Sequence, residues 1–145
     1  MTIDDLGNGE SPQIVLRQVS LASGESQNLW RIGWRVENCA RHSLRIESVR
    51  FPHGQFKAAE QHFNPSISLG YEECAEFETS VACDAKPGVV VENVFSIFSA
   101  VWCDQPWRIF VRLRVSVNEQ GEPAALAESI TTQQVGFSET LSSDS

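Results

Sequence analysis

From Asn28 to Asn38 the chain reads NLWRIGWRVEN, and its side chains divide by strict alternation. Trp30, Ile32, Trp34 and Val36 fall on one set, while Arg31, Gly33, Arg35 and Glu37 fall on the other. Successive side chains of a strand point to opposite faces, so this stretch describes a strand with one core face and one wet face. The same period of two recurs along most of the chain, and no window long enough for a helix carries a stripe at helical spacing. Such patterning restricts the fold to one made mostly of sheet.

Reading outward from that segment, Gln13 to Ala22 (QIVLRQVSLA) forms an earlier strand, followed by the turn-rich SGESQN. In Ser43 to Phe51, Leu44 and Ile46 oppose Arg45 and Glu47. Val49 and Phe51 then continue the apolar set one residue late, which predicts a bulge near Ser48. Pro52 to Pro65 is less regular. Phe56, Ala59 and Phe63 recur at spacings of three and four, predicting one or two helical turns in a crossover between sheets. Ser66 to Leu69 reads as a short edge strand and Glu72 to Cys83 as a full one, ended by the turn DAKPG. Val89 to Cys103 and Trp107 to Val117 form a hairpin across DQP, and Ala127 to Ser138 is the last strand. Residues 1–11 and 139–145 are polar tails around a single domain, 12–138.

Seven or eight strands with Gly, Pro and Asn turns and one long crossover fit an all-β, two-sheet antiparallel sandwich with Greek-key connections. The arrangement is similar to immunoglobulin-like and fibronectin-like modules over roughly residues 12–138, a resemblance of architecture that carries no activity with it. The antibody signature is absent: the third strand lacks a core Trp, and the cysteines do not occupy facing inward positions. In a sandwich of this plan the second strand pairs with Glu72 to Cys83, which sets Arg31 and Arg35 across from Glu76 and Glu78. Those two glutamates then form a solvated outer face rather than an acid and base pair.

Composition narrows the partners. Asp and Glu outnumber Lys and Arg by 19 to 11, a net charge of −8, which argues against general attraction to nucleic acid or to an anionic membrane. Nine of the eleven basic residues are Arg, however, and arginine suits fixed planar pairing, so local basic patches are compatible with the acidic whole. The N-terminal MTIDDLGNGESP has no leader character, and the longest apolar run, Val89 to Cys103, contains Glu92 and Asn93 and is too short to cross a bilayer. A cytoplasmic protein is expected, with Cys39, Cys74, Cys83 and Cys103 as free thiols.

Chemical motifs are sparse. No nucleophile elbow, phosphate-binding glycine loop or H-E-x-x-H segment is present, so catalysis and cofactors are not expected. The alternative is a zinc protein or enzyme centred on Cys39, His42, His53 and His62, because Cys39 and His42 have a C-x2-H spacing and thiolate and imidazole suit zinc. The favoured site is the outer face of the hairpin sheet. If Trp107, Ile109, Val111, Leu113 and Val115 face the core, then Phe110 points outward among Arg108, Arg112 and Arg114. With Phe95, Ile97, Ser99 and Val101 assigned inward, Phe98 and Trp102 join Phe110 outside. The predicted site is therefore Phe98, Trp102 and Phe110 as apolar anchors, with Arg45, Arg112 and Arg114 as a polar rim. Three bare aromatics exceed what a monomer usually exposes, which points to a protein partner, to self-association or to cover by the chain itself. A small ligand such as a sugar is a further occupant.

Overall fold

The structure, a computed structural model, describes residues 10–135. The predicted tails thus lie almost wholly outside the described residues, as does the end of the predicted last strand. Among the described residues there are eight strands and no helix: β1 (Ile14–Ser23), β2 (Leu29–Asn38), β3 (Leu44–His53), β4 (Phe56–Leu69), β5 (Cys74–Ala82), β6 (Val90–Trp102), β7 (Gln105–Val117) and β8 (Pro123–Gln134). All neighbours are antiparallel, in the order β1-β2-β5-β4-β3-β6-β7-β8. The expected β2–β5 and β3–β6–β7 neighbours are present. Two separate sheets are not, for the ladder runs through all eight strands and curls until β1 and β8 lie side by side.

Two seams mark this nearly closed sheet. β4 and β5 share a single paired position, Lys57 with Ala82. Across the other seam, the Gln18 amide stands in for a peptide group: its Nε2 donates to Pro123 O at 3.2 Å and its Oε1 accepts from Ala125 N at 2.8 Å. Gln18 borders a bulge in β1, and Ser20, just past it, faces Gly33 of β2 so closely that a Cβ on Gly33 would collide with its hydroxyl. Glycine at this position is what lets the bulged strand lie against β2.

The segment predicted to contain helical turns is strand. Phe56 and Ala58 point inward at the start of β4, whereas Ala59 is exposed. The spacing that imitated a helix comes from two register shifts: one lies between Val49 and Phe51, and in the other Ser48 faces His62 while Ile46 faces Ile67. Extra β4 residues are accommodated around the cis Asn64–Pro65 bond. The bulge predicted near Ser48 is present, with Ser48 and Val49 both buried and the pairing to β4 and β6 shifted there.

The hairpin carries the main correction. Its loop is not DQP but Cys103-Asp104, with φ of 52° and 60°, and Trp102 pairs with Gln105. Positive φ at both central residues is the two-residue turn that matches strand twist. Directly paired residues point to the same face, and here Ile109 pairs with Phe98, Val111 with Ser96 and Leu113 with Val94. Phe98 and Trp102 are therefore inward, 0% and 3% exposed, and not part of an outer patch. A three-residue DQP loop would have paired Val101 with Ile109, and an odd change in loop length turns every side chain of one strand over.

The interior is aromatic. Trp34 stacks on Phe51 with ring centroids 5.3 Å apart, Phe56 meets both edge-on, and Phe77 bridges Phe63 and Phe98. Trp34 Nε1 donates to Thr79 Oγ1 at 2.9 Å, whereas the buried indole N–H groups of Trp102 and Trp107 meet no acceptor among the described residues.

Candidate binding face

The outward side of β3, β6 and β7 is built by the same pairings that bury Phe98. The inverted parity of β6 sends Phe95, Ile97, Ser99 and Val101 outward, each half-buried. In register they form rows with their neighbours: Arg50 of β3, Ile97, Phe110 of β7 and Thr131 of β8 lie side by side. Phe95 lies beside Arg112, Ser99 beside Arg108, and Val101 beside Arg45. An apolar centre of Ile97 and Phe110, extended by Phe95 and Val101, is thus ringed by Arg45, Arg50, Arg108, Arg112 and Arg114.

Of the predicted site residues, Phe110, Arg45, Arg112 and Arg114 lie on this face, while Phe98 and Trp102 lie behind it. Phe95, Ile97 and Val101 take the places predicted for those two, and Arg50 is a rim residue that the sequence pattern did not single out. Arg45 donates to Glu47 at 3.2 Å, Arg114 lies 3.5 Å from Glu92, and Arg112 lies 3.9 Å from Glu128. These acids neutralise part of the face. Arg50 meets no carboxylate among the described residues. At the hairpin end, between His42, Arg45, Val101 and Cys103, the face continues into an open cavity of about 380 Å³.

The zinc alternative does not assemble. His42 precedes β3 and His53 ends it, so a strand of ten residues, on the order of 30 Å, separates them. His53 Nδ1 accepts from Gln55 N in the β3–β4 turn, and His62 lies midway along β4 beside Glu60. Among the described residues no three potential ligands converge. The cysteines are unbonded to one another. Burial pushes the Cys39, Cys83 and Cys103 thiols up, with Glu37 and Glu72, Asp84, and Glu10 and Asp104 adding to the effect in turn. A raised thiol has less thiolate at neutral pH than an ordinary cysteine.

No protein-family model matches the chain, and no curated protein is detectably similar to it in sequence. No helix among the described residues is long and apolar enough to cross a membrane.

Proposed function

We propose that this chain is a non-catalytic binding module, an immunoglobulin-like sandwich plan joined at its corners, which holds an acidic protein partner on the outer face of β3, β6 and β7. One observation carries the reading: on a chain of net charge −8, five arginines surround a half-exposed apolar row centred on Ile97 and Phe110. Arginine and aromatic residues supply the anchors of protein interfaces, since both offer large contact area with directional hydrogen bonding or stacking. Complementary charge would steer an acidic partner to this face, while the rest of the surface repels it.

Calorimetric titration with poly-L-glutamate and with poly-L-lysine tests the proposal. Binding is expected for the acidic polymer, weakened about tenfold, or about 1.4 kcal/mol, by Arg50→Glu or Phe110→Ser. Equal affinity in the variants, or preference for the basic polymer, would overturn it.

A further inference from the structure

The two halves of β8 have different far edges. Near its start, the Gln18 side chain closes the edge by bonding Pro123 O and Ala125 N. The Arg112/Leu113 register shift divides β8 near Glu128, and beyond it the strand pairs with β7 alone. Val135 N–H donates to Pro106 O at 2.8 Å, so the alternation of an antiparallel ladder directs Gln133 and Thr131 toward β7 as well. Ile130, Thr132 and Gln134 therefore direct their main-chain N–H and C=O groups the other way. Among the described residues nothing hydrogen-bonds to them there.

Unpaired strand edges invite another strand, and proteins guard them with charge, proline or bulges. The other seam edges here have such guards: β1 has its bulge and Gln18, β4 has Pro65, and β5 carries Glu76 and Glu78. Ser129 to Val135, SITTQQV, has no charge, no proline, no glycine and an uninterrupted register with β7. We propose that two copies of this chain join through this edge, antiparallel about a twofold axis at Thr132.

A second copy fits for reasons of charge and chemistry. Two molecules of charge −8 repel, and this neutral run is a place where they can meet without opposing like charges. Symmetric pairing sets Thr132 against Thr132, Ile130 against Gln134 and Thr131 against Gln133, and their outward N–H and C=O groups then bond reciprocally. Threonine and glutamine side chains can hydrogen-bond across such a pair. An isologous contact of this kind closes on itself and does not propagate. The joined sheet would present both arginine faces on the same side, so a multivalent acidic partner would engage them together.

Solution mass over a dilution series, by sedimentation or light scattering, decides. The parent is expected at twice the 16.1 kDa chain mass, falling toward 16.1 kDa on dilution. Thr132→Pro removes an N–H that faces the open edge while sparing those bonded to β7, so it should give monomer, with the parent's thermal midpoint at dilutions where the parent is monomeric too. Should that variant fail to fold, Thr131→Lys with Gln133→Lys, both at exposed outward positions, opposes like charges across the axis and should also give monomer. A parent that is monomeric up to on the order of 100 µM, as it would be if its own chain covered the edge, overturns the proposal. So does a dimer that survives the lysine variant.

Discussion

The outer face of β2 and β5 and the outer face of β3, β6 and β7 both carry arginine on strands of the same sheet, yet they differ in what lies between the charges. On β2 and β5, Arg35 donates through Nε and Nη2 to Glu76 at 3.0 and 2.7 Å, Gly33 faces Glu78, and Arg31 faces Ser80. Two arginines meet three glutamates there, no apolar row intervenes between them, and Arg35 and Glu76 are exposed. On β6 and β7 the arginines surround Ile97 and Phe110, and the apolar surface remains half-exposed. A strand whose alternate residues are polar displays charge. One whose two sets are both apolar, as in β6, buries one set and leaves the other available to a partner.

Truncating the two sets of β6 separately should have the most unequal effects. Phe98→Ala should cost about 3–5 kcal/mol in urea unfolding, since it opens a cavity between Phe77 and the core, whereas Ile97→Ala should cost about 1 kcal/mol or less. Comparable losses would mean that both faces are core. Next in size is Gln18→Ala, which leaves Ala125 N and Pro123 O without partners, at about 1–3 kcal/mol and with faster hydrogen exchange at Ala125. No change at that amide would show that the seam does not depend on Gln18.

A smaller effect of opposite sign is expected at the hairpin loop. Replacing Cys103-Asp104 by Asn-Gly suits the positive φ of both positions and should raise stability by about 1 kcal/mol, read as a higher thermal midpoint. A fall would mean that the loop is not the two-residue turn that orients β6. Least of all should Arg35→Ala matter, because its pair with Glu76 lies in solvent; the urea midpoint should barely move, and any movement should vanish in high salt. A large loss would make the two outer faces less different than their chemistry suggests.

Much of the fold was legible from local pattern. The alternation in NLWRIGWRVEN predicts a strand with Trp30, Ile32, Trp34 and Val36 inside; the last three are fully buried and Trp30 is partly buried against the core. The late phase of Val49 and Phe51 predicts the bulge that is present. Arg35 opposite Glu76 follows from the expected pairing of β2 and β5, although Arg31 falls opposite Ser80 rather than Glu78. The β4 strand was illegible because its bulges break period two and mimic helical spacing. The site was half legible: arginines on β7 identify its outer face, while the apolar runs of β6 are compatible with either orientation.

Alternation is a property of neighbouring residues, so the chain's order by itself determined that it forms strands, where most of them lie and which side of β2 and β7 faces the core. The orientation of β6 rests on whether its loop contains two residues or three, and Cys103-Asp104 has none of the Asn or Gly that usually announces the shorter turn. Closure of the sheet rests on Gln18 meeting residues more than a hundred positions away. Both are decided by what the chain packs against, because a strand with two apolar faces can bury either one, and only its partners select which.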